Sequence, residues 1–194
     1  AFLGLPESDR LSGCSGRAAM GCTMNITHAS AEDWPALKGL YREAFPVEDL
    51  IPLLERLERE VVGLLSLVAR DAEGTPIGHA MFTPCSVGSV PVDLLGPLAV
   101  HPSHQRRGIG RALIQSGFAA LADGSSALVL VLGDPNYYSR SGFRPTVAIT
   151  PPYQLPAAWT GAWQARALKP MGETLTGPLT VPAPWLQPAL WSDG

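Results

Sequence analysis

Between Gln105 and Arg111 the chain runs Gln-Arg-Arg-Gly-Ile-Gly-Arg, three arginines set around two glycines. These types at this spacing suit a ligand that carries phosphates. Glycines let the backbone come close to an anion, and unpaired amides at a helix start point toward it with the positive end of the helix dipole. Arg106, Arg107 and Arg111 add charge. The plainer alternative is a helix that opens at a glycine turn and carries a solvated basic face. A dinucleotide fold wants a third Gly or Ala where Leu113 stands, and a P-loop wants Lys and then Ser or Thr after its last glycine; neither pattern is present. A second block, residues 133–145, reads Gly-Asp-Pro-Asn-Tyr-Tyr-Ser-Arg-Ser-Gly-Phe-Arg-Pro. Its phenols, Tyr137 and Tyr138, have an ordinary pKa near ~10, so they are neutral at pH 7 and able to donate a proton. The alternative for either is a core aromatic bonded to a backbone carbonyl.

The turn resembles the acetyl-CoA signature of the GCN5-related N-acetyltransferases (GNAT), Gln/Arg-x-x-Gly-x-Gly/Ala, matched by Gln105, Gly108 and Gly110. The preceding Leu-x-Val-x-Pro at 98–102 is similar to that family too, and Tyr138 stands in register with its Tyr-x-x-x-Gly-Phe segment. The resemblance covers residues 24–145 and is strongest to a bacterial subgroup carrying Leu-Gly-Pro-Leu-Ala-Val and Gly-Asp-Pro-x-Tyr-Tyr. It implies an α/β fold with a mixed, mostly antiparallel sheet, one splayed parallel pair and flanking helices. It also implies acetyl-CoA or coenzyme A as cosubstrate and no metal. The pantetheine arm would enter between Leu98, Ala99 and Val100 on one strand and residues 127–132 on the next. The pyrophosphate would sit on Gln105, Arg106, Arg107, Gly108, Ile109, Gly110 and Arg111, with Tyr138 as catalytic acid. Many members place a cofactor-binding asparagine well upstream of the tyrosine. Asn136 lies only two residues before Tyr138 and is a weaker cofactor contact.

The implied activity is transfer of acetyl from acetyl-CoA to a primary amine of a small molecule or protein by direct attack. Two alternatives stand beside it: a non-catalytic acyl-CoA-binding module, and a transferase using a longer acyl-CoA. The acceptor's base is open: Glu43, Glu48, Asp49, His79 and Asp93 are candidates, the plainer alternative for each is a solvated or capping group, and no spacing singles one out. His101 and His104 are three apart beside the turn without a third ligand, which argues against a metal site.

The elements that must position these groups follow from apolar period. Residues 24–29 alternate as a short strand, and Ser30 with Asp33 three residues later predicts a helix cap. Trp34, Leu37, Tyr41 and Ala44 share a helical face that Pro46 ends, with Pro35 awkward near the first turn. A second helix is predicted over 49–59 through Leu50, Leu53, Leu54 and Leu57. Strands over 64–70 and 76–87 flank the turn 71–74 as an antiparallel hairpin, and 93–100 is a further strand. The helix from Gly108 carries Ile109, Leu113, Gly117, Ala120 and Leu121 on one face; a buried strand over 127–132 and a short helix near 135–141 follow. Beyond residue 150 the chain is Pro-rich and holds four of its five tryptophans, with a strand near 164–169. That segment is expected to pack on the domain, cover the acceptor side or join two copies as a homodimer.

A chain of 194 residues with 46% hydrophobic and 16% charged side chains suits one globular domain. Residues 1–23 read as an extension, 24–150 as the core and 151–194 as the terminal segment. A net charge of -3 argues against a nucleic-acid surface, and no run reaches the roughly 18 apolar residues that span a bilayer. Cys14, Cys22 and Cys85 show neither disulfide nor zinc spacing, which with the missing apolar leader predicts a cytoplasmic protein.

Overall fold

The computed structural model describes residues 24–159 and 161–192; the segment 1–23, with Cys14 and Cys22, lies outside the described residues. The strands are β1 (Asn25–His28), β2 (Leu65–Arg70), β3 (Pro76–Val87), β4 (Val90–Val100), β5 (Leu128–Leu132), β6 (Arg144–Pro145), β7 (Ile149–Thr150), β8 (Trp163–Ala167) and β9 (Gly177–Thr180). The helices are α1 (Trp34–Ala44), α2 (Ile51–Glu60), α3 (Ile109–Leu121) and the single turn α4 (Pro135–Tyr138). They build one mixed sheet in the order β1-β2-β3-β4-β5-β8-β6, with β9 on the far end of β3 and β7 beside β9. Neighbours pair antiparallel except β4 with β5 and β7 with β9. The expected α/β fold with a splayed parallel pair is therefore present.

Local chemistry explains where the elements start. The Ser30 amide and hydroxyl both donate to the Asp33 carboxylate, at 2.7 and 3.0 Å, and close a 3₁₀ turn from which α1 departs. Burial alone would raise the Asp33 pKa, but hydrogen bonds from Arg70 and Ser30 outweigh it and hold the carboxyl below its usual range. That turn also relieves Pro35. As the second residue of α1 it lacks only an N–H that no helical carbonyl would accept. β4 starts at Val90, three residues before the expected Asp93, because β3 and β4 form one long hairpin about Gly88 and Ser89. The terminal strand falls at Trp163–Ala167 rather than 164–169.

Each sheet face carries its own core. One joins α1 and α2 to Met81, Val92, Leu94 and Ala99, and to Trp159, Trp163, Trp185 and Trp191 of the terminal segment. The other packs α3 and Tyr138 on Phe82, Leu95, Leu98, Val100, Val129 and Val131. Trp185 donates to Thr83 Oγ1 at 3.1 Å and Trp191 to the Trp185 carbonyl at 2.9 Å, so both indoles are buried with their N–H groups satisfied. Among the described residues, no helix is long and apolar enough to cross a membrane.

Two glycines bring α3 close to the sheet. A Cβ on Gly117 would overlap the Phe82 ring, and one on Gly78 would stand 2.8 Å from Ile109 Cγ2 and 3.1 Å from Leu113 Cδ1. Phe82 is fully buried and cannot swing away. Gly117→Ala should therefore cost about 1–3 kcal/mol by overpacking, despite alanine's better helix propensity. Urea denaturation measures this; an unchanged midpoint would mean that α3 stands off the sheet.

Candidate functional site

β4 and β5 share a ladder only at Asp93–Val129, Leu94–Leu130 and Leu95–Val131, although β4 runs on to Val100. Gly96 and Pro97 then form an irregularity where the β3 register shifts between Ala80 and Phe82. Beyond it the pairing is regular, with Ala80 opposite Leu98, His79 opposite Ala99 and Gly78 opposite Val100. The bond from the His101 amide to the Ile77 carbonyl, at 3.0 Å, fixes the phase of that ladder. In this phase Ala99 turns its N–H and C=O to β3, whereas Leu98 and Val100 turn theirs toward β5, past the point where β5 pairs. Of the three strand residues expected at the cofactor, Ala99 thus lies off the open edge, because backbone direction alternates along a strand. The Val100 carbonyl accepts from Gln105 Nε2 at 3.2 Å, which ties the turn to the strand end.

The turn itself is tight. Arg106 has φ 61° and Gly108 φ 82°, both in the left-handed region; only the glycine takes it without strain. From Gly108 the chain enters α3, where Ala112 N–H bonds to the Gly108 carbonyl at 2.9 Å. The amides of Ile109, Gly110 and Arg111 precede that bond and have no helical acceptor. Arg106, Arg107 and Arg111 are exposed around them. A Cβ on Gly110 would overlap Tyr137 Oη, so the Tyr137 phenol lies across the first turn of α3.

Tyr138 is 1% exposed, packed edge-on against Tyr137 and Phe143 with ring centroids 4.9 and 5.7 Å away. Its hydroxyl is buried with no hydrogen-bond partner. Burial pushes the Tyr138 phenol well above its ordinary pKa, with Tyr137 and Asp134 adding to the effect. Burial also raises Tyr137, to about 12, against a small opposing pull from Arg140. Asn136 is exposed; its amide bonds to Asp134 Oδ1 at 2.8 Å and so caps α4.

The five acidic or imidazole groups weighed as bases separate clearly. Asp49 Oδ1 accepts from the Ile51 amide at 3.2 Å, capping α2, and Glu43 pairs with His101 Nε2 at 2.8 Å. Asp93 is 4% exposed at the closed end of the β4–β5 ladder; burial raises its pKa against a hydrogen bond from Ser126. Glu48 follows α1 with one buried, unpartnered carboxylate oxygen, and burial raises its pKa. His79 is fully buried between the hydroxyls of Tyr41 and Ser66, 2.9 Å from each. Sequence reasoning missed Tyr41 and Ser66, which read as one more apolar-face aromatic and one more strand residue; the Gly-Pro inside an apolar run was the available signal of the irregularity. His101 and His104 share the Ser103 hydroxyl at 2.8 and 2.9 Å. Among the described residues, no group of three or more His, Cys, Asp or Glu is placed to hold a metal.

The profile of the Acetyltransferase (GNAT) family matches residues 32–143. The uncharacterized N-acetyltransferase YhbS of Escherichia coli K12 is 33% identical over 135 residues, 69% of this chain and 78% of its own. The crystal structure of YhbS in complex with CoA has a TM-score of 0.73 at 26% identity, covering 89% of this chain and 97% of that one. A GNAT family acetyltransferase from Brucella melitensis in complex with acetyl-CoA has a TM-score of 0.65 at 27% identity, covering 84% and 99%.

Because the Tyr138 hydroxyl is buried without a partner, removing it should cost nothing in the unliganded protein. Tyr138→Phe is expected to be as stable as the parent or more stable by up to about 1 kcal/mol in urea denaturation. A loss beyond about 1 kcal/mol would mean that the hydroxyl is bonded after all.

Proposed function

Because the chain belongs to the Acetyltransferase (GNAT) family, we propose that this enzyme moves acetyl from acetyl-CoA to a primary amine of a small molecule or protein by direct attack. The observation that supports this most is the edge of β4 at Leu98 and Val100, left without β5, with a buried hydroxyl that has no partner, that of Tyr138, in the same core. Both features fit the cosubstrate: an extended chain carrying amides suits an unpaired strand edge, and a sulfur atom suits an orphaned phenol. When bound, acetyl-CoA supplies an activated acetyl carbonyl and a thiol leaving group.

In this reading the backbone groups of Leu98 and Val100 bind the pantetheine amides. Gln105, Arg106, Arg107, Gly108, Ile109, Gly110 and Arg111 hold the pyrophosphate, through the amides at the start of α3 and the charge around them. Asn136 reaches the cofactor arm from the exposed side. An N–H on the open edge donates to the acetyl oxygen, where negative charge grows as the amine nitrogen bonds to carbon. The carbon–sulfur bond then breaks, Tyr138 gives its proton to the departing sulfur, the amine releases its surplus proton to solvent, and the phenol regains a proton from solvent. Tyr138 favours an enzyme over a binding module, since a module has no use for a buried acid. The reduced thiol of Cys85 is compatible with a cytoplasmic setting.

Calorimetric titration with acetyl-CoA and CoA tests the site directly. The parent should bind both, and Gly110→Leu, which displaces Tyr137 from the first turn of α3, should weaken binding at least about tenfold. A folded parent that binds neither would sink the reading. For chemistry, free CoA released across a panel of primary amines should fall roughly 100-fold in Tyr138→Phe with acetyl-CoA affinity kept. Equal rates would remove Tyr138 as the acid.

A further inference from the structure

Three buried side chains outside the machinery above form one line of hydrogen bonds that ends on the strand bearing the open edge. Ser66 Oγ lies 2.9 Å from His79 Nε2, His79 Nδ1 lies 2.9 Å from the Tyr41 hydroxyl, and that hydroxyl lies 3.3 Å from the Pro97 carbonyl oxygen. Ser66, His79 and Tyr41 are 8%, 0% and 1% exposed, so no solvent competes for these bonds. One assignment of protons satisfies all three contacts. A carbonyl only accepts, so Tyr41 donates to Pro97; His79 Nδ1–H then donates to Tyr41, and Nε2 accepts from the Ser66 hydroxyl. Burial keeps the imidazole neutral, pulling its pKa down to about 3 against the pull of Asp33. The rings facing it are Trp34 and Tyr41, edge-on at 6.3 and 5.6 Å.

The receiving end gives the line its meaning. Pro97 lies in the irregularity of β4, where the ladder to β3 loses its regular register and fixes the backbone less well. The Pro97–Leu98 peptide is trans, so its carbonyl and its N–H point in opposite directions. The carbonyl is taken by Tyr41; the N–H belongs to Leu98, the first residue of the open edge. Holding one end of this rigid plane aims the other.

We propose that Ser66, His79 and Tyr41 are positioning residues that lock the Pro97–Leu98 peptide so that the Leu98 amide points at the acetyl oxygen of bound acetyl-CoA. The inference rests on the open edge being the acetyl-CoA site. Rate should be sensitive to this aim, because a misplacement of about 1 Å at a reacting centre costs on the order of 100-fold.

Isotope-edited infrared spectroscopy of acetyl-CoA carrying a ¹³C acetyl carbonyl reads the hydrogen bond without turnover. Bound to the parent, the carbonyl band should move to lower frequency than in free acetyl-CoA. In Tyr41→Phe, which keeps the ring stacked on Phe45 at 5.8 Å, at least about half of that shift should vanish while acetyl-CoA affinity stays within about twofold. Ser66→Ala, which loosens the imidazole but leaves Tyr41 on Pro97, should give a smaller change in the same direction. With an amine that the parent accepts, kcat of Tyr41→Phe should fall on the order of tenfold with KM kept, evenly from about pH 6 to 9, because the line stays neutral there. A parent-like band in Tyr41→Phe overturns the inference and leaves the acetyl-CoA site standing. Should that variant not fold, a parent-like band in Ser66→Ala overturns it instead. A parent that fails to bind acetyl-CoA overturns the site, and this inference with it.

Discussion

Backbone N–H and C=O groups taken into a protein interior must find partners, and each one left without costs about 1–3 kcal/mol. The end of β4 is where this chain accepts that cost. Leu98 and Val100 are 0% and 3% exposed, yet the ladder to β5 stops at Leu95, so the β5 side of their backbone has no ladder partner. Gln105 satisfies one of these groups, the Val100 carbonyl. An edge of this kind persists only when neighbouring structure holds both strands apart, and the elements around it do that work.

On one face α3 presses on Phe82 at Gly117, on Gly78 of β3 through Ile109 and Leu113, and on Leu98 at Gly110 in its first turn. On the other face Trp185 lies against Gly96, its indole Cη2 3.5 Å from where a Cβ would stand, and donates to Thr83. The β4 irregularity is therefore clamped between a helix and an indole ring. β8 pairs along the whole far side of β5, from Leu128–Ala167 to Leu132–Trp163, and draws that strand into the terminal segment. The last forty residues thus help to keep β5 in place and do more than cover the sheet.

The same geometry explains what was legible in the sequence. The glycine turn and the phenol pair were visible because their chemistry depends on short spacing, and helices such as α2 because leucines repeat on one face. β6, β7 and β9 were not visible; at two to four residues, with prolines among them, they carry no period and form only against partners already present. Pro35 was misjudged because a 3₁₀ turn before α1 moves the helix start, which depends on the Ser30–Asp33 contact rather than on apolar spacing. Ala99 lies off the open edge because its N–H and C=O turn to β3, a phase set by its pairing with His79. His79, Tyr41 and Ser66 are separated by 38 and 13 positions and come together only through folding.

The buried phenol raises a question of direction. In water a phenol near ~10 is a weaker acid than a thiol near ~8.5, so giving a proton to a thiolate is unfavourable by about 2 kcal/mol. Burial pushes Tyr138 higher, which by itself would make donation harder. The departing sulfur would meet the same apolar surroundings, and this chain carries a gauge of their effect. Cys85, largely enclosed in the opposite core, has its thiol raised to about 12, by burial first and by Asp93 second. A thiolate formed in an apolar site would likewise be more basic than in water, because taking a small anion out of water penalises sulfur and oxygen alike. Desolvation thus raises donor and acceptor together, so burial need not steepen this small uphill step. It also means that the sulfur need not leave as a free anion, because the proton arrives as charge develops.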